Sequence, residues 1–353
     1  MEIDRIKKLF EEAKTHKEGS WELYKEAMKY ALPNESDVGT ETSLKKAEGI
    51  YDSTVMIENN KLARKQVNMI LPTNIQWGGL KTDLNPDANS QETETLQAYG
   101  DNVYKVLVNS NLNKEALGFF LNLGIGTACM KIVYTGNLKR PIEVMNIPLP
   151  NFYFLEGANG RITHTFVETS GLRYDQILSM FPDTTIQLSE EQTYNIIESA
   201  VPSENDGKYE YVVALSGFAE ELYRAELGYN PFMVCRTLKT GNSIWGNGVV
   251  INVLPNVVNL NDAVYKRRVA GQASIKPALA FEGDPKIMQR MNIELGKMIY
   301  LGARGQNAIN PLNLIGNINV ELMNIESDLA QIREGMFSSY ISNIGQGVQP
   351  KTA

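Results

Sequence analysis

Histidine and cysteine are nearly absent: His16, His164, Cys129 and Cys235 are the whole supply in 353 residues. No CxxC pair exists and the histidines are far apart, so a zinc site built from His and Cys has almost no material. Both cysteines sit in apolar stretches, ACMKIVY and FMVCRTL, and read as small hydrophobes. The GxxxxGK[ST], HExxH and GxSxG patterns are missing too. Gly124-Ile125-Gly126 begins like a dinucleotide fingerprint, but no third glycine follows at the right spacing and strand-like residues come next. A tight helix-to-strand turn is the plainer reading. Acidic pairs such as Glu190-Glu191 and Glu220-Glu221 read as solvated faces. No catalytic residue, metal or cofactor is expected.

Long apolar runs are missing as well. Nothing approaches the roughly 18 consecutive apolar residues of a membrane-spanning helix. The opening MEIDRIKKLFEEAKTHK carries charges of both signs and no apolar core, so a soluble intracellular product is expected, not a secreted one. Positive charge is also short. Thirty-four Lys and Arg stand against 41 Asp and Glu, a net charge of −7, which is the wrong sign for gripping a phosphate backbone. A nucleic-acid role would have to be one that needs weak adhesion.

What is present is a globular composition, 43% hydrophobic, with length for two or three structural units. The first third predicts helices. Ile3, Ile6, Leu9, Phe10 and Ala13 recur at helical spacing until Lys17-Glu18-Gly19 breaks the pattern. Ser20 then looks like the N-cap of a second helix bearing Trp21, Tyr24, Ala27, Met28 and Ala31, stopped by Pro33. Asp52 or Ser53 can cap a helix reaching Pro72, and further helices are predicted over 91–108 and 113–123. After Gly126 the pattern alternates and becomes β-branched, with strands predicted over 128–134, 143–147, 152–155, 161–168, 209–215, 221–227 and 232–238. Helices are predicted over 174–181 and 189–199. The fold class is α+β with a mostly antiparallel sheet.

From Trp245 onward the strongest periodic signal appears. Leu322, Ile325, Leu329, Ile332 and Met336 draw one apolar stripe at spacings of three and four. A partner helix is expected after Pro255, at its N1 position or else kinked by it, where Val257, Leu260 and Val264 repeat the spacing before Lys266, Arg267 and Arg268. Val249 to Leu254 fits a buried strand or a helix. Val253, Val258 and Tyr265 fall outside that stripe, which predicts burial against a second copy. The Gly- and Pro-rich insert between the helices suits a small folded tip of strands, with one helix over 285–292.

Several groups of residues in order carry a family resemblance. They are Trp21…Tyr24…Pro33, Tyr51-Asp52-Ser53-Thr54, Leu71-Pro72 and Trp77, then Ile147-Pro148-Leu149 and Asn230-Pro231-Phe232 with Arg236. Trp245-Gly246-Asn247-Gly248, Leu260-Asn261 and Ile332-Arg333-Glu334-Gly335-Met336-Phe337 complete the set. Together they resemble the head-to-tail connector, or portal, proteins of T7-like short-tailed bacteriophages, the podoviruses. The resemblance implies a wing (1–247), a first stem helix (248–274), a small α/β clip (275–318) and a second stem helix (319–341). A tunnel-loop region (342–353) would follow, leading to a crown. The chain stops at Lys351-Thr352-Ala353, so either the crown is absent or this sequence is truncated.

The same resemblance implies a homo-oligomeric ring, a dodecamer, at one capsid vertex of the virion, assembled in the host bacterial cytoplasm. Double-stranded DNA would pass through it with low affinity during packaging and ejection. Its partners would be the major capsid protein, the terminase and a tail adaptor at the clip. A tail adaptor ring protein or an enzyme with an unrecognised site are the alternatives. An acidic ring repels the duplex and lets it slide. Lys266, Arg267 and Arg268 are expected to pair with Glu321, Glu326 and Asp328 across helices or subunits, beside the stripe from Leu322 to Met336. Asn343, Gly345, Gln346, Gly347, Gln349 and Lys351 are expected to form a flexible loop projecting into the channel and touching DNA.

Overall fold

The computed structural model describes residues 3–33, 35, 48–72, 75–80, 91–137, 139–182, 189, 192–204, 207–216, 221–241, 243–275, 279–282, 298–302, 308–311 and 318–337. Helix α1 (Ile3–Ala31) is continuous through Lys17-Glu18-Gly19, where a break was predicted. Gly19 costs a helix interior about 1 kcal/mol. Lys17 offsets it: its ammonium donates to the carbonyls of Leu149 (3.0 Å), Pro150 (2.5 Å) and Phe152 (3.0 Å), tying the middle of α1 to the sheet. Ser20 caps nothing; its hydroxyl meets that of Ser243 at 3.2 Å.

Helix α2 (Thr54–Ile70) starts where Asp52 Oδ1 accepts from the Thr54 amide at 2.8 Å. Helices α3 (Gln91–Asn109) and α4 (Leu112–Ile125) follow. A three-stranded antiparallel sheet comes from β1 (Thr127–Tyr134), β2 (Ile142–Ile147) and β8 (Phe232–Arg236), in the order β2-β1-β8. The free edge of β2 is closed by α4 and its cap. Asn111 exchanges hydrogen bonds with both the N–H and the C=O of Val144, and Glu115 accepts from the Asn146 amide. Those bonds remove a pairing template that an edge strand otherwise offers.

The larger sheet is antiparallel with strands in sequence order. It comprises β3 (Phe152–Glu156), β4 (Ile162–Arg173), β5 (Thr193–Pro202), β6 (Tyr209–Leu215) and β7 (Glu221–Leu227), with the short helix α5 (Tyr174–Met180) after β4. One face packs Leu155, Phe166, Ile197 and Val212 under Ile6, Phe10 and Ala13 of α1. The other turns Phe152, Phe154, Val167, Ile196 and Val213 into the main core. A helix was predicted over 189–199, but Thr193–Pro202 is the central strand. With both faces covered, its apolar residues run on without alternation, and a strand cannot then be told from a helix by period. Its one charge, Glu198, is buried and receives hydrogen bonds from Lys131 and from the Tyr211 hydroxyl.

Two short strands, β9 (Leu238–Lys239) and β10 (Gly246–Asn247), lead into helix α6 (Val249–Ile275). Val249 to Leu254 is therefore helical, and Pro255 lies inside the helix, not at N1. Pro255 is the seventh residue of the helix, past the first turn, so the Ile251 carbonyl loses its usual amide donor there. Strands β11 (Leu279–Glu282), β12 (Met298–Gly302) and β13 (Ala308–Pro311) form a mixed sheet, β11 parallel to β12 and antiparallel to β13. The helix predicted over 285–292 lies outside the described residues. Helix α7 (Ile318–Gly335) then packs back along α6.

Candidate functional site

Several of the residues that set this sequence apart converge on Trp245. Its ring, 2% exposed, meets Phe154 at 4.7 Å and both Tyr24 and Phe152 at 5.6 Å between centroids. The Lys17 ammonium lies 5.5 Å from it, and 4.2 and 4.5 Å from the rings of Tyr153 and Trp21. Burial pushes the Lys17 pKa down to about 7, against a smaller opposing pull from Glu168. The Tyr24 hydroxyl donates to the Gly246 carbonyl and lies 3.1 Å from Thr127 Oγ1, and burial pushes its pKa up to about 12.

Glycine is required here by close approach. A Cβ on Gly126 would overlap the Gly246 carbonyl, and one on Gly248 would overlap the carbonyls of Gly124 and Ile125. The Gly248 amide donates to the Ile125 carbonyl at 2.8 Å. The Gly124-Ile125-Gly126 turn thus receives the Trp245-Gly246-Asn247-Gly248 loop, which accounts for Gly126, Gly246 and Gly248, while a Cβ on Gly124 would strike the Asn59 side chain; no nucleotide is needed to explain these glycines. Arg236 braces the rim, donating to Glu156 and to the carbonyls of Ile244 and Gly160, each at 2.8 Å. Hydrogen bonds from Lys239 and Arg236 hold the Glu156 carboxyl below its ordinary pKa.

A second junction ties α2 to α6. Asn261, buried on α6, accepts from the amides of Tyr51 (2.7 Å) and Asp52 (3.3 Å) and donates to the Gly49 carbonyl at 3.0 Å. The Tyr51 ring lies 4.7 Å from that of Tyr265, and Arg268 donates to the Tyr51 carbonyl at 3.0 Å. The Tyr51-Asp52-Ser53-Thr54 and Leu260-Asn261 pairs, 210 residues apart in sequence, are two halves of one clamp.

Beyond the clamp lies the helix pair. Ile325, Ile332 and Met336 are buried, Leu329 is half-buried and Leu322 is exposed. The helices run antiparallel: a Cβ on Gly335 would strike Val253, and Asn256 donates to Gln331 at 2.5 Å and Asp328 at 3.3 Å. Val253 was predicted to need a second copy for burial, yet it is buried within this chain, and Val258 packs half-buried against the main core. Lys266 and Asp328 line one shallow groove with Asn259, Asp262, Asn324 and Ser327. Lys266 Nζ lies 2.6 Å from Asp262 one turn back, and Arg267 and Glu326 are exposed. The Glu321 side chain lies outside the described residues, as do Asn343, Gly345, Gln346, Gly347, Gln349 and Lys351.

Sequence reasoning missed Lys17 and the Lys131–Glu198–Tyr211 cluster. Lys17 had a readable signal: it continues the Ile6, Phe10, Ala13 stripe at the next helical step. Glu198 had none, because its partners are Tyr211 on the adjacent strand, 13 residues away, and Lys131 on the other sheet, 67 residues away.

Among the described residues no group of three or more His, Cys, Asp or Glu is placed to hold a metal, and no helix is long and apolar enough to cross a membrane. Aromatic packing, interlocked glycine loops and amide clamps hold the helix pair in place against the α+β body. Such contacts position elements mechanically. The family model described as bacteriophage head to tail connecting protein matches residues 3–353, and the chain belongs to that family. It is therefore a phage connector, a structural component of the virion that joins capsid to tail. A comparison with curated proteins returns no match.

Proposed function

We propose that this connector is the portal: a dodecameric ring at one capsid vertex, through which double-stranded DNA is packaged and ejected. In this reading residues 1–247 form the wing, α6 and α7 the stem, and the insert between them the clip, where the terminase and later the tail adaptor dock. Residues 342–353 form the tunnel-loop region. The role is geometric and uses no catalytic residue. The observation that carries the reading is the family match over nearly the whole chain, joined to an antiparallel helix pair with a small sheet inserted between its helices. The acidic balance of the chain supports it, since a ring without excess positive charge adds little counterion-release affinity and lets the duplex slide. The α6–α7 groove supports it as well, because Asn259, Asn324 and Ser327 with the Asp262–Lys266 pair offer hydrogen-bonding groups and no cationic cluster.

Native mass spectrometry of the full-length protein tests this. A closed ring of one stoichiometry is expected, and a monomer or dimer that binds nucleotide would overturn the reading in favour of an enzyme.

A further inference from the structure

Helix α3 is an anomaly in the fold. It has 19 residues, and Gly100 is the single buried one among those described, covered by the backbone of Gly79 and Leu80. Its apolar residues nevertheless follow a helical stripe, Leu96, Tyr99, Val103 and Val106, with Tyr99 62% and Val103 50% exposed. An isolated helix of this length is marginal in water, and amphipathic helices are stabilised mainly by burying their apolar face. The segment 75–80 lies alongside. Tyr104 donates to the Ile75 carbonyl at 3.0 Å, the Trp77 and Tyr104 rings meet edge-on at 5.6 Å, and Gln76 donates to Asp101 at 2.8 Å. These contacts hold Ile75, Trp77 and Leu80 beside α3 with their side chains substantially exposed, and Met69 and Ile70 at the end of α2 are exposed as well.

Half-exposed side chains of this size present together on the order of 700 Å², above the few hundred Å² of an ordinary monomer patch and near the roughly 800 Å² that one partner contributes to a stable interface. Tryptophan, tyrosine and methionine are also the residues that interface cores favour. A second set of exposed apolar residues lies elsewhere on the same chain. Tyr265 and Val269 of α6 are exposed, as are Leu322 and Met323 of α7, and the antiparallel register sets the two pairs at the same end of the helix pair. Two unlike apolar surfaces on one chain are what a head-to-tail contact between identical subunits requires, and a single external partner on α3 would leave the second patch unexplained.

We propose that the α3 face, with Ile75, Trp77 and Leu80, is a subunit contact occupied by the Tyr265/Val269/Leu322/Met323 patch of a second copy of this chain. The contact rests on the ring reading above and names the surfaces that close it.

The test uses the full-length protein in a Cys235→Ser background, because that cysteine is exposed whereas Cys129 is buried. Val103→Asp should convert the ring to monomer in native mass spectra, with the far-UV circular dichroism spectrum unchanged because the residue is half-exposed in the single chain, and with a lower melting temperature because assembly no longer adds to stability. The double variant Val103→Cys/Met323→Cys, treated with a short bismaleimide, should give a ladder of covalent oligomers extending past the dimer. Rings formed by Val103→Asp at wild-type yield, or rings of the double variant that give no inter-subunit cross-link, would overturn the contact while leaving the ring reading intact. Val103→Cys alone forming covalent dimers would also overturn it, because the face would then meet itself. A wild-type protein that stays monomeric would remove the ring reading and this contact with it.

Discussion

Replacing Asn261 by leucine isolates what the α2–α6 clamp contributes. Leucine matches asparagine in reach but cannot bond, so the Tyr51 and Asp52 amides and the Gly49 carbonyl all lose their partner at once. A backbone group left without a partner costs about 1–3 kcal/mol when buried and less where water can reach it. These groups are partly buried, so Asn261→Leu should cost about 2–4 kcal/mol in urea denaturation. The matched control is Asn256→Leu on the same helix, whose partners Gln331 and Asp328 are side chains at the surface, and it should cost under about 1 kcal/mol. Hydrogen exchange should localise the difference, with faster exchange at Tyr51, Asp52 and the first turn of α2 only in the Asn261 variant. Equal losses for the two variants, or unchanged exchange at Tyr51 and Asp52, would refute the clamp.

Other perturbations follow from the hub and the sheet. Lys17 has its pKa lowered from 10.5 to about 7 by burial, so between these values the unfolded chain binds the extra proton and folding stability rises with pH; relative to Lys17→Met, wild type should gain up to about 4 kcal/mol from pH 7 to 10. A flat difference in urea midpoints across that range would sink this. Gly248→Ala should destabilise by about 3 kcal/mol or more through overlap with the Ile125 backbone, and a melting temperature within a degree of wild type would contradict the interlocked loops. Lys131→Met should cost about 3–5 kcal/mol by stranding the buried Glu198 carboxylate, and Lys131→Met/Glu198→Leu should recover much of it. If the double variant is no more stable than the single one, the cost does not come from an unpaired charge.

The stripe on α7 buries one side and so carries a period that can be read. Strands β1, β3 and β4 are covered on both faces, and they were legible because Gly136-Asn137 and Asn159-Gly160 mark the turns that bound them. Legibility failed where such punctuation was missing or a local break was offset by distant contacts. Strand β5 is covered on both faces and loses its alternation, and α1 passes Gly19 because Lys17 is bonded to carbonyls more than 130 positions away. The motif residues were visible as a set, but their roles were not. Nothing in Leu260-Asn261 discloses that its amide holds Tyr51 and Asp52, and nothing in Gly124-Ile125-Gly126 discloses that it packs against Gly246 and Gly248. Those contacts join residues more than 100 positions apart, which local pattern cannot report.

The central claim is that this connector acts as a ring around DNA with the helix pair on its wall. Electron microscopy of the purified full-length protein tests it most directly. The account predicts particles with cyclic symmetry, a hole wide enough for a duplex, and α6 and α7 beside that hole. Compact single chains without a hole, or rings with the helix pair on the outer rim, would contradict it.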